Sequence, residues 1–307
     1  MDRFRQSLSA LWPEGGRLGV AVSGGPDSMA LLLLAAEALP GKVEAATVDH
    51  GLRPESAEEA LMVARVCEAL GVPHAVLPVT LAAGNLQSEA RAARYAALAG
   101  WLESRGLSAL ATAHHADDQA ETLLMRLNRA SGVSGLAGVR PRGIVPGSAI
   151  ALVRPLLDWR RNELAAIVAE AGIDPVQDPS NESDRFDRVR IRKALADSDW
   201  IDVPALATSA ANLADADVAL TWAVAREWKE EVSWEGEIAL YCPVAPRAIA
   251  LGVLALIVEQ LGCGPARGGA VARLYDALLT GKPATLADVA ARPTKQGWRF
   301  RKAPARR

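Results

Sequence analysis

The sequence predicts an α/β fold with a doubly wound, mainly parallel sheet, followed by a linker helix and a small, mainly helical C-terminal domain. The first observation is an alternation of short apolar runs and helical patterns through residues 18–112, which is typical of parallel strands joined by crossover helices. The second is a change of this rhythm near residue 130, where glycine and proline become frequent. The third is the length of 307 residues, which suits about two domains of roughly 150 residues each.

Each predicted strand is a short apolar run between turn residues, and the predicted helices are the longer helical patterns that lie between and after these runs. The glycine- and proline-rich stretch from Gly132 to Gly147 is interpreted as a flexible connection. We predict a domain over residues 1–200, a linker helix over 201–234, and a C-terminal domain over 235–307 that ends in a basic tail. That tail, Arg292 to Arg307, holds seven basic residues and no acidic one. The predicted strands are Leu18–Val22, Val43–Val48, Ala75–Val79 and Ala109–Thr112, and the predicted helices are Met29–Leu39, Glu55–Leu70, Ser88–Arg105, Trp159–Ala171, Val203–Trp228, Ala248–Leu261 and Gly269–Leu279.

The composition excludes several classes of protein. Half of the residues are hydrophobic and the formal net charge is only −2, which argues against wholesale disorder. The three cysteines are far apart and form no C-x-x-C pair, so a zinc site, an iron–sulfur site or a disulfide framework has no support. The sequence shows neither a signal peptide nor an apolar run of transmembrane length. It therefore predicts a cytoplasmic protein that does not bind a membrane.

A glycine-rich hexapeptide, Ser23-Gly24-Gly25-Pro26-Asp27-Ser28, stands between the first predicted strand and the first predicted helix. Its backbone N–H groups, two hydroxyls and the positive end of the following helix dipole favour a bound phosphate. It has neither the lysine and spacing of a Walker loop nor the G-x-G-x-x-G pattern of dinucleotide-binding proteins. The structural alternative is an ordinary strand-to-helix turn with serine as the N-cap.

Two further loops are expected at the same edge of the sheet. Asp49 and His50 follow the second strand, and His114 and His115 follow the fourth. Ligands of doubly wound sheets bind at the carboxyl ends of the strands, so these side chains are expected near the hexapeptide. For Asp49 and His50 the alternative is a turn that only leads into the next helix.

Two carboxylates belong to the helix that is predicted to begin near Ala116. Asp118 and Glu121 lie three residues apart and therefore share one face of that helix. Such a pair could hold Mg²⁺ together with ATP oxygens, or it could bind an ammonium group. The structural alternative is that acids in a first turn are favoured by the helix dipole.

In combination these segments resemble one known family. The hexapeptide is similar to the SGGxDS loop of the PP-loop ATP pyrophosphatases, which split ATP into AMP and pyrophosphate. With VDHGLR at 48–53, EARAARY at 89–95 and TAHHADDQAET at 112–122, the chain resembles the tRNA(Ile)-lysidine synthetase family. RPLL at 154–157, DPSN at 178–181 and RVRIR at 188–192 extend the resemblance over residues 18–193. Val189 is a departure, because the family usually has asparagine there.

The resemblance implies a Rossmann-like PP-loop ATPase that ligates free lysine to the wobble cytidine of an isoleucine tRNA with a CAU anticodon. In this reaction ATP adenylates the cytidine and releases pyrophosphate, and the lysine amine then expels AMP to form lysidine. The implied cofactors are ATP and Mg²⁺, and the implied partners are the tRNA and free lysine. The oligomeric state, including a homodimer, is left open.

The resemblance and the chemistry of the residues together assign roles to individual positions. Arginines at 126–161, at 185–193 and in the basic tail are expected to contact tRNA phosphates, with a solvated basic surface as the alternative. The expected ATP-binding residues are Ser23, Gly24, Gly25, Pro26, Asp27, Ser28, Asp49 and His50, and the expected catalytic residues are Asp27, His114, Asp118, Glu121 and Arg192. The residues expected to bind lysine are Arg91, Asp118 and Glu121. Arg188, Arg190 and Arg192 are expected to bind tRNA, and Asp27 is expected to bind Mg²⁺.

Three other functions are weighed against this one. A tRNA thiolase of the same superfamily would also adenylate a base, but the cysteine pairs it needs are absent from the sequence. A small-molecule amidating ligase similar to GMP or NAD synthetases would share the SGGxDS loop without needing the later arginine-rich segments. A non-catalytic nucleotide- or RNA-binding protein would leave the converging acids and histidines without a purpose.

Overall fold

The computed structural model describes residues 1–49, 55–79, 86–176, 187–262, 264, 266 and 268–303, with only the backbone at 55–57 and 86–88. The chain divides into two compact units. Unit 1 comprises Met1–Ser131 and Gly135–Ala211, and unit 2 comprises Gly132–Ser134 and Asn212–Arg307. The domain bounds expected from the sequence stay a prediction.

Every helix and strand that the sequence predicts has a counterpart among the described elements, and several further elements are present. In chain order they are α1 (Asp2–Leu11), β1 (Leu18–Ala21), α2 (Pro26–Ala38), β2 (Val43–Asp49), α3 (Glu55–Ala69), β3 (His74–Pro78), α4 (Leu86–Arg105), β4 (Ala109–Ala111), α5 (Ala116–Leu127), α6 (Val133–Leu136), β5 (Arg142–Ile144), β6 (Ala151–Val153), α7 (Arg161–Glu170), α8 (Asp187–Ala196), α9 (Val203–Glu231), β7 (Val232–Glu235), β8 (Ile238–Tyr241), α10 (Arg247–Leu261), α11 (Gly268–Leu279), β9 (Ala284–Leu286), β10 (Val289–Thr294) and β11 (Gly297–Lys302).

Unit 1 contains a six-stranded sheet in the order β3-β2-β1-β4-β6-β5. All neighbouring strands are parallel except β5, which runs antiparallel to β6. The order reverses at β1, because β2 and β3 lie on one side of it and β4 and β6 on the other. The doubly wound, mainly parallel sheet is thus confirmed, and its topological switch point lies between β1 and β4.

Buried apolar side chains cover both faces of this sheet, which is why its strands are almost continuously hydrophobic. One core cluster joins the strands to α1, α2, α3 and α7, and a second joins them to α4. Gly19 in the centre of β1 permits the close approach of α4, since a Cβ there would lie 2.5 Å from Leu102 Cδ2 and 2.8 Å from Trp101 Cζ3. A glycine in a strand interior has this meaning when another element packs directly on it.

The interpretation of residues 132–147 as a flexible connection is wrong. This stretch contains α6 and β5, and it leads into β6, which extends the parallel part of the sheet. Strands of three residues among glycines and prolines carry too few positions for a period to be visible in the sequence. Among the described residues no helix is both long enough and apolar enough to cross a membrane.

Unit 2 is built on a five-stranded antiparallel sheet in the order β7-β8-β11-β10-β9. Helices α10 and α11 pack on one face of it around Tyr241, Ile257 and Phe300. The mainly helical prediction for this region anticipated the two helices but not the sheet. As far as Lys302, the segment described as the basic tail belongs to the hairpin of β10 and β11.

Candidate active site

A cavity of about 680 Å³ opens in unit 1 at the carboxyl ends of β1, β2 and β4. Ser23 follows β1, Asp49 ends β2, and Thr112 follows β4, and all three residues line the cavity. This is the position beside the switch point at which doubly wound sheets bind their ligands. The convergence of three loops that the sequence suggested is therefore present in the structure.

The hexapeptide loop is held in shape by its own hydrogen bonds. Ser28 Oγ accepts a hydrogen bond from the Ser23 backbone N–H at 3.1 Å and donates one to the Gly25 carbonyl at 3.0 Å. Gly24 has a φ of 84°, in the left-handed region that favours glycine. Gly25 is the N-cap of α2, and Pro26 occupies the first turn of this helix. Both residues line the cavity, so the N-terminal end of α2 borders it. This geometry provides N–H donors and a positive dipole end for a phosphate.

His115 is a buried link between this loop and the start of α5. Its side chain is only 1% exposed. Its Nε2 lies 3.3 Å from Asp27 Oδ2 and 3.6 Å from Asp118 Oδ2, and its Nδ1 lies 3.6 Å from Asp117 Oδ2. Burial acts to lower the pKa of His115, but the carboxylates outweigh burial and raise the pKa to about 9. His115 is therefore an imidazolium at neutral pH.

His114, the preceding residue, lines the cavity, and its pKa is shifted in the direction opposite to that of His115. Burial, assisted by nearby arginines, lowers its pKa to about 4 although Asp118 acts to raise it. Its Nδ1 lies 3.1 Å from Thr112 Oγ1. His114 is therefore a neutral imidazole that can donate or accept a hydrogen bond within the cavity.

Asp118 occupies the third position of α5 and lines the cavity. Its Oδ2 accepts a hydrogen bond from the His115 backbone N–H at 3.1 Å, which satisfies one of the free donors at the start of the helix. Its Oδ1 accepts a hydrogen bond from Arg188 Nη2 at 2.8 Å. One carboxylate thus caps α5 and also faces the space where a ligand would bind.

Glu121 is the common anchor of three arginines. It is 1% exposed, and its Oε2 accepts from Arg188 Nε at 2.6 Å. Its Oε1 accepts from Arg192 Nε at 2.9 Å and from Arg161 Nη2 at 3.2 Å. These three arginines line the cavity, whereas Glu121 does not. The lysine-binding role expected for Glu121 stays a prediction, and its contacts in this structure are with the arginines.

Asp117 joins α5 to α7 outside the cavity. It accepts two hydrogen bonds from the Arg160 guanidinium at 3.2 Å each and one from the Arg161 backbone N–H at 2.9 Å. Burial acts to raise the pKa of Asp117, but the contacts with His115 and Arg160 hold it well below its usual range. Asp117 therefore fixes the position of the helix that carries Arg161.

The structure brings together most of the residues that the sequence singled out. Arg91 lines the cavity and lies over the ring of Tyr95, with its guanidinium carbon 5.0 Å from the ring centroid. Arg190 does not line it and pairs with Asp187, while the neighbouring Val189 is buried. His50 and the segment 178–181 lie outside the described residues. The predicted residues that line the cavity are Ser23, Gly25, Pro26, Asp27, Ser28, Asp49, Arg91, His114, Asp118, Arg188 and Arg192.

Sequence reasoning missed the structural importance of His115 and Arg161. His115 was noted only as a neighbour of His114, and Arg161 only as one of many arginines. A signal was present for Arg161, because Arg160 and Arg161 stand at the start of α7, where the helix dipole disfavours cations. Carboxylates of α5 explain their position, because Arg160 pairs with Asp117 and Arg161 pairs with Glu121.

The fold and the site define a PP-loop enzyme that uses ATP. A family model described as a PP-loop domain matches residues 2–198 of this chain. It covers the whole sheet of unit 1 and the loop, the histidines, the acids and the arginines of the site.

Relatives with curated names identify the family within this class. The chain is 49% identical over 310 residues to the tRNA(Ile)-lysidine synthase of Novosphingobium aromaticivorans, with 100% of this chain and 94% of that protein covered. It is 42% identical over 301 residues to the tRNA(Ile)-lysidine synthase of Zymomonas mobilis, with 96% and 91% covered. The chain belongs to the tRNA(Ile)-lysidine synthase family.

A solved structure supports the fold independently. The U34-tRNA thiolase NcsA of Methanococcus maripaludis, determined with its [4Fe-4S] cluster, superposes with a TM-score of 0.57. The match covers 71% of this chain and 79% of the thiolase at 17% sequence identity. At this identity the likeness concerns the fold alone.

Proposed function

We propose that this chain catalyses the ATP-dependent ligation of lysine to the wobble cytidine of the CAU anticodon of isoleucine tRNA, forming lysidine. The similarity to two tRNA(Ile)-lysidine synthases, which extends over nearly the full length of this chain, supports the proposed ligation reaction. The observation that carries the proposal at the level of chemistry is that the phosphate loop and Asp118 line one and the same cavity in unit 1. A reaction that first breaks ATP and then adds an amine requires these two functions within reach of one another.

The loop of residues 23–28 is proposed to bind the pyrophosphate end of ATP. Its N–H groups and the first turn of α2 meet the phosphate oxygens without needing to reorganise, which is how preorganised donors lower a barrier. Asp27 Oδ1 is buried and has no hydrogen-bond partner among the described residues. Such an oxygen fits Mg²⁺, which typically binds one or two carboxylates together with substrate phosphates and water. When bound there, Mg²⁺ would neutralise phosphate charge.

The arginines held by Glu121 are proposed to act in adenylation. The oxygen on the cytosine ring attacks the α-phosphorus of ATP, pyrophosphate leaves, and negative charge increases on the phosphate oxygens. Arg188 and Arg192 are placed to stabilise that charge, because planar guanidinium groups match phosphate oxygens. His114 can add a hydrogen bond without adding charge, since it is neutral.

Asp118 is proposed to receive the lysine side chain in the second step. An amine attacks only when neutral, although the ordinary pKa of a lysine is near 10.4, so a neighbouring carboxylate must accept its proton. Asp118 Oδ1 now accepts from Arg188, and the lysine ammonium is expected to take over this contact. Arg91 remains our candidate for the carboxylate of the amino acid, and Glu121 for a second contact with lysine. The amine then attacks the ring carbon and AMP leaves.

The remaining assignments concern the RNA. Arg188, Arg190 and Arg192 are proposed to contact tRNA, with Arg190 on the exposed side of α8. Unpaired bases are recognised by insertion into a pocket, so the wobble base is expected to enter the cavity of unit 1. The division into a catalytic domain, a linker helix and a tRNA-contacting C-terminal domain is likewise proposed.

The test is a reaction with purified protein, ATP, Mg²⁺, labelled lysine and tRNA with a CAU anticodon. Wild-type chain should attach the label to the tRNA and release AMP and pyrophosphate. Asp118→Asn should still release pyrophosphate but lose lysine transfer by about a hundredfold or more, because the proton acceptor is gone. Asp158→Asn, an exposed acid that does not line the cavity, is the control and should transfer lysine normally.

Each failure has a distinct meaning. Near-normal transfer by Asp118→Asn would remove Asp118 from the lysine step. AMP formation without lysine on the tRNA, together with transfer to another acceptor, would instead make the chain a different PP-loop ATP pyrophosphatase.

A further inference from the structure

Thr112 stands in the chain between β4 and His114, and the proposed reaction gives it no role. Its backbone N–H donates a hydrogen bond to the Val153 carbonyl of β6 at 3.1 Å, so the sheet fixes its position. Its side chain lines the cavity of unit 1, and its Oγ1 lies 3.1 Å from Nδ1 of His114. A residue fixed by the sheet thus holds one of the two ring nitrogens of His114.

The hydrogen bond between Thr112 and His114 can form in two ways. The ring of His114 carries one proton at neutral pH, because burial and nearby arginines disfavour a second. If this proton is on Nε2, the Thr112 hydroxyl donates to the bare Nδ1. If it is on Nδ1, this nitrogen donates to Oγ1, and the hydroxyl hydrogen needs another acceptor. The hydrogen bond made by one ring nitrogen therefore decides the protonation of the other.

The contacts of Thr112 favour the proton on Nε2. In the part of the chain that the structure describes, His114 Nδ1 is the one hydrogen-bond partner of the Thr112 hydroxyl. Donation to Nδ1 satisfies the hydroxyl hydrogen and the ring lone pair together. The other arrangement leaves the hydroxyl hydrogen without a protein acceptor, which costs free energy in a half-buried position.

The position of the ring proton matters for a ligand that carries phosphate. Ionised phosphate oxygens only accept hydrogen bonds, so they bind a protonated Nε2 and repel the lone pair of a bare one. Because Thr112 occupies Nδ1, Nε2 is the ring nitrogen of His114 that is left for a ligand in the cavity. We propose that Thr112 is a positioning residue whose hydroxyl keeps the ring proton of His114 on Nε2, from which it is donated to a phosphate oxygen during adenylation. The identity of the ligand rests on the proposed function.

The first measurement is the ¹⁵N NMR spectrum of the histidine rings in the full chain at neutral pH, without ATP, lysine or tRNA. Bare and protonated ring nitrogens have widely separated shifts, so wild type should show His114 with its proton on Nε2. Thr112→Val should allow a mixture of the two forms, whereas Thr112→Ser should keep the wild-type form. Thr47→Val is the matched control, because Thr47 Oγ1 lies 2.9 Å from Nε2 of His74. It should change the signals of His74 and not those of His114.

The second measurement is pyrophosphate release with ATP, Mg²⁺ and tRNA with a CAU anticodon, in the absence of lysine. Thr112→Val should lower kcat about tenfold, the value of one hydrogen bond to a charged group, and Thr112→Ser should stay within about twofold of wild type. The KM for ATP should change less than kcat, because the contact strengthens as charge increases in the transition state. Thr208→Val, which removes a hydroxyl that donates to the Pro204 carbonyl of its own helix, is the control and should release pyrophosphate at the wild-type rate.

A comparison of single and double variants shows whether Thr112 acts through His114. In a chain that already carries His114→Ala, Thr112→Val should have no further effect on kcat, because the effects of two coupled residues do not add. An equal loss on that background would show that Thr112 contacts the ligand itself and would overturn the proposal. A wild-type His114 with its proton on Nδ1 would overturn it too, as would Thr112→Val with a wild-type spectrum or a wild-type rate.

The role of Thr112 and the proposed function fail separately. A chain that makes lysidine, with Thr112→Val releasing pyrophosphate as wild type does, refutes the role of Thr112 alone. A chain that shows the expected spectra and the expected loss of pyrophosphate release, but transfers no lysine, refutes the proposed function. Thr112 would then remain a positioning residue of an enzyme that adenylates a different acceptor.

Discussion

Replacing His115 by glutamine should destabilise unit 1 by about 3 kcal/mol near pH 6. The imidazole is 1% exposed and lies within 3.6 Å of carboxylate oxygens on three aspartates. Its pKa of about 9 exceeds the ordinary value of 6.5, and each pKa unit of this difference corresponds to about 1.4 kcal/mol of free energy that stabilises the protonated form in the folded state. Glutamine keeps a similar size and an amide donor but removes the positive charge, so the carboxylates are left without their counter-ion.

The stabilising contribution of His115 depends on pH. Because the folded-state pKa of His115 is raised, its contribution is fully present below pH 6.5 and is lost as the pH rises through about 9. The difference in unfolding free energy between wild type and His115→Gln should therefore be largest near pH 6 and approach zero above pH 9. Urea unfolding at a series of pH values, followed by amide NMR signals of α5, measures it for unit 1.

His114→Gln is the matched control, because the neighbouring histidine has a lowered pKa of about 4. A lowered pKa means that the neutral form is favoured, so its contribution is present above pH 6.5 and is lost as the pH falls toward 4. Its effect on stability should be constant from pH 6.5 to 10. A His115→Gln difference that is equally constant over this range would refute the reasoning, as would an NMR titration of His115 near 6.5. The chain has only four histidines, so their signals can be assigned by substitution.

Two other substitutions test the framework of the site. Glu121→Gln should lower the unfolding free energy by about 3 kcal/mol and slow pyrophosphate release, because three cavity arginines lose their buried anion; an unchanged thermal midpoint with normal adenylation would contradict this. Gly24→Ala should cost about 1–2 kcal/mol, because φ is 84° and the new Cβ would lie 3.2 Å from Val176 Cγ2. It should also raise the KM for ATP by disturbing the loop, and wild-type stability and KM would argue against a strained position.

The parallel sheet of unit 1 could be predicted because its strands are buried on both faces. A run such as Leu18–Ala21 is then apolar at every position, and the helices between the runs have their own period. Unit 2 lacked such a signal. Its strands are only three to six residues long, most of them show no clear alternation of apolar and charged side chains, and the arginines of β10 and β11 resembled a charged chain end. The alternation of Trp298 and Phe300 with arginines was the available evidence for a strand.

The candidate site could be predicted only as far as single loops and neighbouring residues allow. The hexapeptide, Asp49 and the segment of His114 and Asp118 follow strands, so topology alone brings them to one edge. Glu121 contacts arginines on α7 and α8 that lie 40 to 71 residues away in the sequence. Its role could therefore not be predicted from neighbouring residues. No local pattern shows that a carboxylate is occupied by three cations, because this depends on how those helices pack.

The first-turn acids of α5 show why a structural and a functional interpretation of one motif need not exclude each other. The helix dipole and the free N–H groups favour acids there, and Asp118 does accept the His115 N–H. The same acids also act beyond α5: Asp117 binds the start of α7, and Asp118 reaches the cavity. With Asp27 they surround His115, whereas His114, one residue earlier, lies among arginines. Two consecutive histidines at the start of the same helix thus differ in charge: His115 is cationic and holds the phosphate loop to α5, whereas His114 remains neutral in the cavity.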